Sequence, residues 1–134
     1  MSTDVARELV TRFYERLWNS WDDAEVDLVL GSDFVFRGSL GQTTRGRDGW
    51  RRYRDGVRAS APDFHNEVVD LVTADDRTAA RLRYTGTHLG LLLGVPPTGR
   101  RFEYCGAAFF AIRGGYLISA WVLGDLDHLR TQLA

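Results

Sequence analysis

The main change in the spacing of the apolar residues occurs at His65, and this change limits the possible folds most strongly. Before His65 the apolar residues recur mostly at helical spacing, whereas after it they alternate at a period of two, as in β-strands. Turn signals then separate three or four strands: ADDR at 74–77, GLLLGVPPTG at 90–99 and RGG at 113–115. Helices followed by an antiparallel sheet predict an α+β fold, with the helices packed on one face of a curved sheet.

Two helices are predicted near the start of the chain. Apolar pairs over residues 3–20 form one continuous stripe on a helix, which Ser2 or Thr3 can cap. A shorter helix is predicted over residues 22–30. We expect it to stop at Gly31, because glycine adopts the left-handed conformation past a helix end without steric cost.

A short strand and a third helix follow. Residues 34–36 form an apolar run that predicts the strand. Trp50, Tyr53 and Val57 keep helical spacing between residues 47 and 59, and arginines take the other faces. Aspartates are interleaved with these arginines, so a solvated helix face is a better interpretation than a nucleic-acid surface.

The last predicted strand, residues 116–125, is apolar on both faces. Tyr116, Ile118, Ala120 and Val122 alternate with Leu117, Trp121 and Leu123, and only Ser119 interrupts the second set. Such a strand must be covered on both sides, and the helices can cover only one. We therefore expect an enclosed apolar pocket, a partner subunit, or both, with a homodimer or higher homo-oligomer forming through the outer face of the sheet.

Composition excludes several classes of protein. The 134 residues correspond to one domain, 1–134, and the net charge of −1 offers no electrostatic reason to bind nucleic acid or an anionic membrane. No segment approaches the roughly 20 apolar residues that span a bilayer. A single cysteine, Cys105, excludes an internal disulfide, and the start of the chain does not resemble a secretion signal, so a cytoplasmic location is expected.

Asp125 is the first candidate for catalysis. It ends an apolar strand beside Trp121 and Leu123, and a carboxylate held there partly out of water has a raised pKa suited to proton transfer. The simpler interpretation is that Asp125 caps the helix that follows, since aspartate is a good N-cap residue.

Five segments in order resemble the SnoaL-like polyketide cyclase family of the NTF2-like superfamily. They are DFVFRGSLG at 33–41, GRDGWRRY at 46–53, SAPDFHNEV at 60–68, YTGTHLGLLLGVPPTGRRFEYCG at 84–106 and WVLGDLDHLRTQL at 121–133. This resemblance implies a cone-shaped barrel that encloses an apolar cavity and uses neither a metal nor an organic cofactor. It also implies ring closure of a polyketide by intramolecular aldol condensation.

The resemblance also implies roles for particular residues. The family's W-x-x-x-D motif places the acid and base role on Asp125, and its THxG motif makes His88 an assisting residue. Arg37 stands where family members that close aromatic rings often have histidine. Arginine cannot act as a general base but can polarise a carbonyl or hold a carboxylate, so Arg37 is either part of a different substrate site or a surface residue.

Aromatic residues at inward positions are the candidates for pocket lining or core. They are Tyr14, Phe36, Trp50, Tyr84, Tyr104 and Trp121. His65 and His128 do not form a ligand spacing with His88, so no metal site is predicted. The expected partner is an apolar small molecule. Epoxide opening, pericyclic closure and a non-catalytic ligand-binding protein remain as alternatives.

Overall fold

Six strands form one mixed sheet in the computed structural model, which describes residues 3–134. The strands are β1 (Leu30–Arg37), β2 (Thr43–Arg45), β3 (His65–Ala74), β4 (Arg77–Thr87), β5 (Arg101–Arg113) and β6 (Tyr116–Gly124). Their order across the sheet is β2-β1-β6-β5-β4-β3. Strands β1 and β6 pair in parallel, and all other neighbours pair antiparallel.

The helices lie mostly before the long strands, as the sequence predicts. They are α1 (Thr3–Arg12), α2 (Val26–Val29), α3 (Gly46–Ser60) and α4 (Leu126–Leu133). A π-helical segment, Phe13–Trp18, continues α1, and a 3₁₀ turn, Asp23–Glu25, leads into α2. The predicted α+β class is therefore confirmed. Ser2, one of the two expected caps of the first helix, lies outside the described residues.

The predicted end of the second helix at Gly31 is wrong. Leu30 already has extended backbone angles, φ −92° and ψ 134°, and Gly31 lies inside β1. A Cβ atom at Gly31 would lie 3.4 Å from the carbonyl oxygen of Leu117, because β1 approaches β6 closely here. Pairing with β6 thus places these residues in the sheet. A left-handed backbone conformation occurs instead at Trp21, φ 53°, before the 3₁₀ turn.

Strand β6 does not keep a strict period of two. Leu117 is fully buried together with Ala120 and Val122, whereas Trp121 and Leu123 are 47% and 52% exposed. The pairing of β6 with β5 shifts register between Ala111 and Ile112. The alternation of core-facing and outward-facing residues in β6 is therefore interrupted after Leu117. Grouping Leu117 with Trp121 and Leu123 was therefore wrong.

Aromatic side chains fill the space between the sheet and the helices. Phe13 is at the centre of this core and is fully buried. Its ring centroid lies within 5.1–6.5 Å of those of Tyr14, Trp18, Phe34, Phe36, Trp50 and Phe110. Within residues 3–134 no helix is long and apolar enough to cross a membrane.

Candidate functional site

A surface cleft of about 330 Å³ borders the aromatic core at Tyr53 and Val57. Its walls are one face of α3, Leu40 and Gln42 of the β1–β2 loop, and residues 91–94 of the β4–β5 loop. This volume is within the range of roughly 300–1,000 Å³ that is usual for small-molecule sites. The cleft is therefore large enough to bind a small-molecule substrate.

A second cavity lies among the core residues and shares Tyr53 and Val57 with the cleft. Its volume is only about 20 Å³, which is room for about one water molecule. The enclosed pocket that the sequence led us to expect is thus almost filled by the protein's own rings. Tyr53 forms the wall between the two spaces.

Tyrosine side chains supply most of the polar groups at this wall. The Tyr104 hydroxyl and the Ser39 Oγ lie 2.9 Å apart and share a hydrogen bond. The backbone N–H of Leu40 donates to the Tyr53 hydroxyl at 3.1 Å. The Tyr14 hydroxyl is buried and has no hydrogen-bond partner within the described part of the chain.

Burial keeps these phenols in their neutral form. Desolvation raises the pKa of Tyr53 and Tyr104 above the ordinary value of 10.0, and it raises the pKa of Tyr14 and Tyr84 well above that value. A neutral phenol both donates and accepts a hydrogen bond. The cluster can therefore stabilise or relay charge on a substrate oxygen without itself being ionised.

Glycines on the strands and their connections make room for three of these rings. A Cβ atom at each glycine would overlap or crowd a tyrosine ring: Gly38 with Tyr53, Gly106 with Tyr84, and Gly124 with Tyr104. At Gly106 the added atom would lie 2.7 Å from Tyr84 Cε2 and equally close to the carbonyl oxygen of Leu123. The position of each phenol thus depends on a missing side chain opposite it.

Asp125 lies outside this cluster. It is exposed and caps α4, with its Oδ1 accepting the backbone N–H of His128 at 3.2 Å. Val122 lines the inner cavity and a Cβ at Gly124 would meet Ser39, so the intervening Leu123 and the following Asp125 point away. The cap is therefore present, whereas the burial that the catalytic interpretation required is not.

His88 follows β4 directly and is fully buried, where it holds a loop. Its Nδ1 accepts the backbone N–H of Thr98 at 3.2 Å and lies 2.9 Å from the Thr98 hydroxyl. Because Nδ1 is an acceptor, we assign the hydrogen to Nε2, which donates to the carbonyl oxygen of Val95 at 3.1 Å. Both ring nitrogens are thus used to fix the loop that carries the leucines of the cleft.

Arg37 and Trp121 lie together on the outer face of the sheet. The guanidinium of Arg37 stacks over the Trp121 ring at 5.0 Å and donates to the backbone oxygen of Val122. The Trp121 ring packs against Phe109 at 6.1 Å. Neither Arg37 nor Trp121 lines the cleft or the inner cavity.

The remaining predicted residues are inside. Tyr14, Phe36 and Tyr84 line the inner cavity, Trp50 is fully buried in the core, and Tyr104 lies beside the hydroxyl of Ser39. Sequence reasoning missed Ser39, Tyr53 and Asn66 as lining residues. Tyr53 could have been found, because it follows Trp50 by three residues on the buried stripe of α3.

No group of three or more His, Cys, Asp or Glu side chains among the described residues is arranged to hold a metal ion. The lining of the inner cavity is made of aromatic, aliphatic and neutral polar side chains. What this lining offers a ligand is apolar surface with a few hydroxyl and amide groups.

Comparison with known proteins agrees with this architecture. The SnoaL-like polyketide cyclase family matches residues 8–133, and the chain belongs to this family. The six-stranded sheet with its four helices is the NTF2-like fold of SnoaL-like structures. No curated protein matches the sequence.

Three solved structures illustrate the similarity. IdmH from Streptomyces antibioticus, a proposed polyketide cyclase, is 30% identical over 95% of this chain and 96% of its own, with a TM-score of 0.82. TsrD from Streptomyces laurentii is 26% identical over 100% and 98% of the two chains, with a TM-score of 0.87. A SnoaL-like protein from Jannaschia is 20% identical over 98% and 92%, with a TM-score of 0.88, and shows the fold alone.

Proposed function

We propose that this protein is a cofactor-independent cyclase that closes a ring in a polyketide-like intermediate of secondary metabolism, such as antibiotic biosynthesis. The observation that carries the proposal is the cluster of neutral tyrosine hydroxyls behind a cleft of about 330 Å³ in a chain of this family. The apolar cleft holds the flexible substrate in a folded conformation. Proximity of the two reacting carbons then supplies a large part of the rate enhancement.

Ring closure by an aldol reaction needs a stabilised oxyanion. The enol carbon of the substrate forms the new C–C bond with a carbonyl carbon, and the carbonyl π electrons move to its oxygen. The Tyr53 hydroxyl donates a hydrogen bond to this oxygen. The oxygen then takes up the proton that the enol hydroxyl releases. The step is balanced without a cofactor, and a phenol can relay the proton because it donates and accepts.

A paired substitution tests this mechanism against the one based on Asp125. Tyr53→Phe keeps the ring and removes the hydroxyl, and we expect it to lower kcat/KM roughly 10²–10³-fold, as for loss of one oxyanion donor. Asp125→Asn keeps the helix cap and is expected to retain nearly all activity. The measurement is the rate of cyclic product formation from linear polyketones, supplied both as free acids and as methyl esters, beside the melting temperature of each variant.

The reverse result would overturn the assignment. If Asp125→Asn lost 10²-fold or more at an unchanged melting temperature, the acid and base role that the family motif implies would replace the phenol mechanism. If both variants stayed active, a pericyclic closure would be favoured. That alternative is supported by the cleft, whose lining among residues 3–134 includes neither a carboxylate nor an imidazole. Absence of any turnover would favour a ligand-binding protein.

We also propose that the protein is a homodimer that forms through the outer face of the sheet, and that it acts in the cytoplasm. Phe109, Trp121 and Leu123 are each about half exposed on this face, and burying such side chains favours association. We expect Trp121→Glu to give a monomer in light scattering. Leu28→Glu, at a position that is 59% exposed on α2, is the control that should remain dimeric. A monomeric wild-type protein at high concentration would contradict the assembly.

A further inference from the structure

One charged side chain lines the cleft, and it is Arg52 of α3. The other cleft residues are apolar or neutral, and among them only Gln42 and Arg52 have a polar side-chain group without a hydrogen bond within residues 3–134. Ser60, for comparison, donates to the carbonyl oxygen of Leu91 at 2.5 Å. The cleft therefore combines an apolar wall with one cation and one amide.

Neighbouring arginines of α3 differ from Arg52 because they have ion-pair partners. Arg47, Arg51 and Arg54 form ion pairs with aspartates at N···O distances of 2.7–3.7 Å. Within residues 3–134 Arg52 has no ion pair, hydrogen bond or ring contact. Its charge is thus not neutralised by the protein, although aspartates surround the other face of α3.

The spacing along α3 sets the direction of a bound molecule. Arg52 and Gly56 are one helical turn apart on the face that lines the cleft, and a Cβ at Gly56 would meet nothing within 4 Å. This open strip runs from Arg52 towards Val57 and the Tyr53 wall. An elongated ligand can therefore place an anionic end at Arg52 and its reactive carbonyl at the phenol cluster.

We propose that the substrate is a free carboxylic acid, whose carboxylate is bound by Arg52 and assisted by the Gln42 amide. The planar guanidinium matches a carboxylate with two parallel hydrogen bonds, and the leucines of the cleft accept the apolar chain. This inference rests on the proposed function and adds the substrate class. It distinguishes a free acid from an ester or a carrier-bound thioester, which lack the negative charge.

A binding experiment tests the proposal without requiring turnover. The probes are 4-(2-naphthyl)butanoate and its methyl ester, measured by calorimetry with the wild-type protein. We expect the acid to bind roughly tenfold more tightly than the ester, since a charge-assisted hydrogen bond is about twice as strong as a neutral one. Arg52→Gln should reduce the affinity for the acid to that for the ester and leave the ester unchanged.

Arg58→Gln is the matched control, because Arg58 stacks on the ring of Trp21 and is not part of the cleft. This variant should bind both probes as the wild type does. Added salt should weaken the binding of the acid to the wild-type protein and leave the binding of the ester unchanged. Equal binding of acid and ester, or equal losses in both arginine variants, would overturn the proposal. Failure of ring closure with intact acid preference would instead reject the proposed function alone.

Discussion

Gly38→Ala is expected to remove most of the ring-closing activity and to lower the stability of the fold. The added Cβ would overlap the Tyr53 ring at Cζ and the hydroxyl, and would lie 2.6 Å from Cε2. Overpacking of a core usually costs about 1–3 kcal/mol in free energy of unfolding. Displacement of a substrate-positioning group by about 1 Å can cost roughly 10²-fold in rate. Both kcat/KM and a urea titration should be measured.

The double variant Gly38→Ala/Tyr53→Leu separates the two effects. Leucine lacks the atoms that the new Cβ would overlap, so much of the lost stability should return, whereas the hydroxyl and the activity should not. Gly56→Ala serves as the stability control. Nothing lies near its Cβ position inside α3, and alanine there should add about 0.5–1 kcal/mol. A fully active Gly38→Ala protein would show that Tyr53 does not bind the reacting oxygen.

Local periodicity explains why the class of fold could be predicted from the sequence. The helical stripe ending near Trp18 and the alternation of β4 are both observed, and the same alternation places His88 inside. These patterns depend on residues three, four or two positions apart, and such neighbours are visible in the sequence. The parallel pairing of β1 with β6 is not local, and it is this contact that takes Gly31 into the sheet.

The location of the site could not be predicted in the same way. An aspartate at position 125 fits both a buried catalytic acid and a helix N-cap. Only the structure, in which Val122 faces the inner cavity and the side chains after it alternate, shows that the carboxylate points outward. The shift between Ala111 and Ile112 likewise changes which residues of β6 face inward. A shift of one residue reverses every following side chain, and sequence patterns do not mark where it occurs.

The free volume of the interior is also a property of all the rings together. A row of inward aromatic residues is compatible with an open pocket or with a filled core. The two differ only in the volume left empty between side chains from distant segments, which amounts to a few methylene groups. Here Phe13 decides the outcome. It comes from the π-helical segment and lies between rings of that segment, β1, α3 and β5.

Phe13→Ala is therefore expected to cost about 3–5 kcal/mol in free energy of unfolding, which is typical for truncating a fully buried phenylalanine. That loss is a large share of the roughly 5–15 kcal/mol of a typical domain. Leu28→Ala, at a position that is 59% exposed, is the control and should change stability by less than about 1 kcal/mol. The measurement is chemical denaturation of both variants.

The void left by Phe13→Ala adds a second measurement, because an apolar cavity lined by aromatic rings stays dry and binds small apolar molecules. Benzene should raise the melting temperature of Phe13→Ala by mass action and leave that of the wild type unchanged, since the inner cavity of about 20 Å³ cannot accept a ring. Stabilisation of the wild type by benzene would mean that the core opens readily. In that case the substrate would enter the interior, and the cleft would be only its entrance.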